Sequence, residues 1–477
     1  ARRALLASAL GQNGQQEPGP LAGRLDAALS TPPLWSRRGC PVPPADPAAA
    51  LPGDRLLIAD DDCLHCVSAR DGSELWTTEL PSQPSAPGRT SGPRAPRHHV
   101  GPGYPVHQVS DGVLMVALPS AVVALDPADG TIIHRLPVGM PGARYGTSVP
   151  VPRGLWIRRA VCGLPVPPRD ARPFRRLDDF LVSPVAACRV EAGVGISLFD
   201  PRTGEELFRR SVPAEQGLIG LQAAFAGNWL CALLPAPDRL LLIDPVDGQT
   251  VARWVLRESS GIHAMLSTGG QILYLADRDA IWRFDLRGPE LAARWAMPEG
   301  IERLIYADAK VLLVESTAGD TQLLSAETGH ELPASAVKGR ATWARRRGEV
   351  LYLLHADDYR GAVPYGQQTH ALGRGFALRV VRLEDGETLW EHAMPREELR
   401  VVGPPLPDGD AWLIPWSNSE CAGVVALRAS DGAELSRAEL RVRGHPGPVS
   451  LLPAGQTVIL GAKGTTSAFA RREEEMR

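Results

Sequence analysis

Apolar residues in this chain come in short runs separated by turn residues. Arg55-Leu-Leu-Ile-Ala59, Val113-Leu-Met-Val-Ala117, Trp229-Leu-Cys-Ala-Leu-Leu234 and Val350-Leu-Tyr-Leu-Leu354 are representative. Runs of this length, bounded by Gly, Pro and Asp, read as strands rather than helices. Most lead into one recurring phrase, clearest at residues 122–134, Val-Val-Ala-Leu-Asp-Pro-Ala-Asp-Gly-Thr-Ile-Ile-His. An apolar run ends in Asp, a few residues follow, then Asp-Gly or Thr-Gly, then a second apolar run. Copies carry Asp71-Gly72, Asp129-Gly130, Thr203-Gly204, Asp247-Gly248, Thr328-Gly329, Asp385-Gly386 and Asp431-Gly432. A weaker copy is Phe284-Asp-Leu-Arg-Gly288. Glycine adopts positive φ without steric cost, so each pair marks the turn of a tight hairpin. The leading Asp can cap turn amides.

With the runs upstream of it, each phrase completes a unit of four short strands, A to D, the phrase being the C–D hairpin. Four-stranded units repeating every ~40–45 residues predict an all-β fold, a β-propeller whose blades bury their faces on one another. Large aromatics on the outer strand, Trp76, Phe208, Trp254, Trp295 and Trp390, are placed to pack between blades. The units fall at residues 38–80, 104–138, 147–212, 217–257, 261–297, 301–334, 341–395 and 399–442. Val449–Leu452, Thr457–Gly461 and Thr466–Ala470 read as strands A, B and C with no D strand after them. Leu34-Trp35 resembles the end of a D strand, so the two ends of the sequence are expected to share a closing blade, which removes two open sheet edges. The expected count is eight blades, with nine as the alternative. Residues 31–477 read as one propeller domain. Residues 1–30 read as a short helical or linker segment, with helices near 2–10 and 21–29.

The Leu-Asp-Pro-x-(Asp/Thr)-Gly-x-x-Leu-Trp-like phrases resemble the pyrroloquinoline-quinone-like (PQQ-like) propeller repeat, over residues 38–470. Quinoprotein dehydrogenases share that repeat with a non-enzymatic propeller lipoprotein that assists outer-membrane protein assembly. The resemblance implies the fold and an extracytoplasmic, periplasmic setting, and leaves function open, because one superfold hosts unrelated activities. For a dehydrogenase it would further imply adjacent cysteines stacked on the quinone, Ca²⁺ ligands, and a catalytic Asp near an Arg. No adjacent Cys-Cys pair occurs in the sequence.

Bulk properties narrow the picture little. A net charge of -3 over 477 residues gives no general pull towards nucleic acid or an anionic membrane. No apolar run approaches the ~18 residues of a membrane span. Forty-eight Gly and 44 Pro suit a turn-rich fold. Seven Cys at irregular spacing are not a disulfide framework, although Cys162 and Cys188 could bridge a long loop. Cys63-Leu-His-Cys66 lacks a second pair to complete a zinc site, and Val67 stands where haem attachment needs His.

The long insertions are informative. In an up-and-down blade the A–B and C–D turns share one face, and the B–C loops and D–A links share the other. Residues 81–103 form a D–A link. Residues 162–193 and 357–375 are expected between strands B and C of the third and seventh units, with a modest excursion at 417–423 in the eighth. All should emerge on one decorated face, and loops carry function more often than scaffold does. The candidate interaction residues on that face are His98, His99, His107, Arg169, Asp357, Tyr359 and His370. Some of these, with His355 and Asp358, could alternatively meet as metal ligands. The Arg-rich pieces, 169–176 among them, are ordinarily solvated or salt-bridged surface. The expectation is therefore a non-catalytic propeller, without cofactor, acting as a scaffold for other protein chains. The alternative is a PQQ- and calcium-dependent oxidoreductase or a small-molecule sensor.

Overall fold

The computed structural model describes residues 33–42, 51, 54–60, 63–79, 106–110, 112–117, 121–137, 179–182, 187–191, 195–200, 202–211, 222–226, 229–234, 239–256, 264–268, 272–288, 290–333, 340–365, 368–396, 398–441, 449–454, 457–462 and 465–470. The named elements among them are all strands, and the pairings are antiparallel. The helical segment expected at 1–30 lies outside the described residues. Among those described, no helix is long and apolar enough to cross a membrane.

The strands form eight hydrogen-bonded sheets. The largest holds two meanders, strands 340–393 and 400–441, joined where the first runs on into the second. The described residues thus carry nine meanders in eight sheets, eight being the expected number of blades and nine its alternative. Blades 1 to 8 follow the chain, and the closing blade is the ninth. Blade 6 has three full strands, its outer strand reduced to a single bridge between Leu324 and Glu331.

Closure occurs as the sequence implied. Trp35–Arg38 pairs with Thr465–Ala470, Trp35 opposite Ala468, and supplies the outer strand of the last blade. That blade packs on blade 8 through Leu413, Val424, Val449 and Leu451. On its other side it meets blade 1 through Leu56, Ile58, Ile459 and Ala468. Similar apolar clusters join blades 1 and 2, and each successive pair from 3 to 8. Blades 2 and 3 meet where the His134 ring sits against Gly204.

The C–D turns explain why the phrase recurs. Gly72, Gly130, Gly204, Gly248, Gly329, Gly386 and Gly432 all have φ between 71° and 75°. Each donates its N–H to the carbonyl four residues back, as Gly130 does to Asp126 at 2.9 Å. The Asp126 carboxylate accepts the Ala128 N–H, and the Asp129 carboxylate the Thr131 N–H, both at 2.8 Å. Ser73, through its hydroxyl and its amide, holds the Asp71 carboxyl down to about 2. The missing Cβ is used as well. The preceding blade lays an aromatic on the glycine: Trp35 on Gly72, Trp76 on Gly130, Phe208 on Gly248, Trp295 on Gly329 and Trp390 on Gly432. The indole N–H groups of Trp35, Trp76 and Trp390 then donate to carbonyls in that next turn. Burial of such a ring contributes ~1.5–3 kcal/mol at each seam. Trp254 lies against Phe284 of the next blade, centroids 5.1 Å apart.

Three expectations change. Blade 3 uses Asp179–Val182, Ala187–Glu191 and Gly195–Phe199 as strands A, B and C. Its additional residues therefore precede strand A instead of separating B from C. The excursion at 417–423 is a tight turn, in which the Asn418 side chain accepts the N–H groups of Glu420 and Cys421. Cys188 is a free, buried thiol in strand B rather than half of a disulfide, and Cys162 lies outside the described residues. Cys63 and Cys66 are not in a disulfide either. Three residues apart on one strand, they face opposite sides of the sheet, and burial pushes the Cys66 thiol up to about 11.

Candidate functional site

Residues 357–375, expected to be a loop, are the far half of a long hairpin. Strand B of blade 7, Val350–Tyr365, and strand C, Gln368–Arg382, stay paired from Val350↔Arg382 out to Tyr365↔Gln368. The near half is ordinary blade. The far half is a strap. Glycines make the extension fit: Gly361 lies at a register shift, and Gly373 brings its backbone close to the Asp358 carbonyl, where a Cβ would lie 2.6 Å from that oxygen.

The strap is held by four consecutive blades. Over blades 6 and 7, the Tyr359 ring lies on two guanidiniums, 5.4 Å from Arg303 and 6.0 Å from Arg340. Beneath it Glu315, 1% exposed, receives both arginines. Arg303 Nε donates to Glu315 at 2.5 Å and Arg303 Nη2 to the Ala341 carbonyl at 3.0 Å, while Arg340 Nε meets the other carboxylate oxygen at 3.0 Å. On blade 8, Ala371, Leu372 and Gly373 pair with Val402, Val401 and Arg400. Arg400 is 4% exposed, stacks 4.3 Å above the Trp416 ring and donates to Glu398 at 2.9 Å. On blade 9, His370 Nε2 lies 2.8 Å from the Val449 carbonyl. A carbonyl only accepts, so that nitrogen carries the proton. Ile301 and Val449 open their A strands, so the strap lies on the face of the D–A links.

The candidate residues separate accordingly. Asp357, Tyr359 and His370 all belong to the strap, but only Asp357 is exposed; Tyr359 is half-buried. His370 is fully buried and structural, and burial pushes its pKa down to about 4. His107 lies on strand A of blade 2, opposite Val116. His98, His99 and Arg169 lie outside the described residues, as do residues 81–103. Two histidines of the metal alternative stand apart. His355 pairs opposite Ala377 and His370 opposite Val363, at opposite ends of the strap. Burial lowers the pKa of His355. Among the described residues, no three His, Cys, Asp or Glu side chains are grouped to hold a metal ion. Outward along the strap stand Asp357, Asp358, Arg360 and Arg374, with Arg396 3.3 Å from Asp357. They form a mixed-charge surface.

The Arg303–Glu315–Arg340 cluster was missed from sequence, though a signal existed. Glu315 ends the otherwise apolar run Val-Leu-Leu-Val, and a carboxylate continuing a buried strand needs partners.

Against known proteins, residues 27–152 match a family described as outer membrane protein assembly factor BamB. That family model is a PQQ-like repeat, matched over those residues. No curated protein sequence matches the chain. Solved structures align with it at low identity. BamB from Moraxella catarrhalis is 12% identical with a TM-score of 0.42, over 92% of this chain and 99% of that one. Quinohemoprotein alcohol dehydrogenase from Comamonas testosteroni is 12% identical with a TM-score of 0.45, over 100% and 85%. The computationally designed Ika8 protein is 11% identical with a TM-score of 0.45, over 78% and 97%. At such values no function passes from any of them to this chain.

Proposed function

We propose that this PQQ-like propeller is a non-catalytic scaffold that docks other protein chains on its strap-bearing face, in an extracytoplasmic setting. One observation carries the reading: the strap is a raised, paired hairpin tied to four blades by buried groups. A surface held this way loses little conformational entropy when a partner binds, which favours recognition. Its outer side chains are charges of both signs, matching the polar composition of docking surfaces outside a hydrophobic centre. The match to an assembly factor over residues 27–152 supports a role among other proteins.

The test is quantitative co-purification from the native source after mild cross-linking. The native chain is compared with a variant carrying Asp358→Lys, Arg360→Glu and Arg374→Glu. These side chains are exposed, so the fold should persist, as near-ultraviolet circular dichroism will verify. The expected result is a stoichiometric protein partner with the native chain and at least tenfold less with the variant. Equal recovery from both, or a native chain that is always alone, would defeat the reading.

A further inference from the structure

A cleft of about 190 Å³ lies between the outer halves of blades 3 and 4, away from the strap. Its walls are Phe208 and Arg210 from Glu206–Ser211, Arg239 and Leu241 from Arg239–Ile243, and Thr250 and Arg253 from Thr250–Val255. Strand alternation assembles it. Residues 208 and 210 share one face of their strand, 239 and 241 one face of theirs, and Arg253 sits directly opposite Leu241.

Three arginines, Arg239 half-buried and Arg210 and Arg253 exposed, therefore line one cleft whose lining holds no carboxylate. Several other strand arginines are neutralised locally. Arg209 meets Glu206 at 2.9 Å, Arg379 meets Glu391 at 2.6 Å, and Arg437 meets Glu434 at 2.9 Å. Among the described residues, Arg210, Arg239 and Arg253 have no such partner, and Arg239 Nε is buried without an acceptor. Arginine stays charged at any physiological pH, so proton loss cannot reduce the positive charge lining the cleft. A counter-anion can.

The geometry points to an oxyanion site of the phosphate class in this cleft. A carboxylate offers two oxygens and one charge, too few for three forked donors. A phosphate offers up to four oxygens and close to two charges, and guanidinium forks match it in bidentate fashion. Phe208 and Leu241 add apolar surface to the lining. Val251 and Val255 flank Arg253 on the same face of their strand and are 46% and 45% exposed. They offer a ledge for an apolar group attached to the phosphate. The oxyanion is thus either free or the head of an amphiphile. The site is independent of the docking face, and either can fail without the other.

The experiment is calorimetric titration of the full chain, at low salt, with inorganic phosphate and separately with n-hexyl phosphate. Saturable binding is expected, accompanied by a rise in melting temperature beyond that given by chloride at equal ionic strength. Arg239→Gln should weaken it about tenfold, which corresponds to ~1.4 kcal/mol. The triple variant Arg210→Gln, Arg239→Gln, Arg253→Gln should abolish it. Arg202→Gln, at an exposed turn of blade 3, should leave it unchanged. Tighter binding of hexyl phosphate identifies an amphiphile as the source, and equal binding a free oxyanion. Absence of saturable binding by both probes overturns the proposal, as does undiminished binding in a triple variant whose melting temperature without ligand is native.

Discussion

The C–D turns and the strap are both β-hairpins, yet they are stabilised at opposite ranges. A C–D turn is made by its own few residues: a glycine at positive φ, an Asp or Thr capping the amides, and one aromatic from the neighbouring blade. The strap draws on distant partners, and its His370 bond spans 79 residues of sequence. Loss of one turn should loosen one seam. Loss of one strap anchor leaves a buried charge or donor with nothing to satisfy it. Repetition thus makes the scaffold tolerant, while the single-copy feature is brittle.

The largest expected effect is at the strap's charged footing. Glu315→Ala removes the counter-charge from the buried Arg303 guanidinium, and such a break costs ~3–5 kcal/mol. Urea unfolding should show that loss. A midpoint within experimental error of the native one would mean that Glu315 does not anchor the strap.

His370 should contribute a pH-dependent share. Its folded pKa is about 4, below the ~6.5 of an unfolded histidine. Above pH 6.5 both states are neutral and the stabilisation is complete. As pH falls from 6.5 towards 4, the unfolded chain takes a proton that the folded one refuses, and about 3 kcal/mol of stability is lost. His355 and His392, also lowered by burial, steepen the same slope. His370→Gln should flatten it by removing one titrating group. Parallel stability profiles for the two proteins between pH 7.5 and 4.5 would rule out this role.

The smallest effect sharpens the other side of the comparison. Gly432→Ala forces a left-handed alanine and drives its Cβ to 2.5 Å from the Trp390 ring. Gly112→Ala, at φ 79°, meets nothing within 4 Å and bears only the backbone cost of ~1–2 kcal/mol. The first should exceed the second by ~1 kcal/mol in thermal or urea unfolding. Equal losses would show that the Trp390 seat adds nothing beyond backbone strain.

These ranges also explain what was legible in the sequence. The turn phrase is local chemistry, so the hairpins, the repeat and the closing Trp35 strand could be read directly. His134 does an aromatic's work on Gly204 but was not among the aromatics picked out, because its side chain is not of that class. Blade 3 was misaligned since its A and B strands are short, and Pro184 interrupts the sequence between them. The strap read as a loop because Gly361, Pro364, Gly366, Gly373 and Gly375 ordinarily break strands. Here Gly361 marks a register shift and Gly373 a close backbone approach, which only the packed neighbours define. That Tyr359 and His370 are partly or fully buried was not legible, since exposure on the strap is set by blades 6, 8 and 9.

The closing pair has a mechanical consequence. Trp35 lies opposite Ala468 and Arg38 opposite Thr465, so the chain before 35 and the chain after 468 leave the pair at the same end. Tension between them would load the hydrogen bonds one at a time, as a zipper, rather than all together in shear. A propeller tethered through both ends would therefore yield first at this seam, whereas one tethered at a single end would leave the seam unloaded.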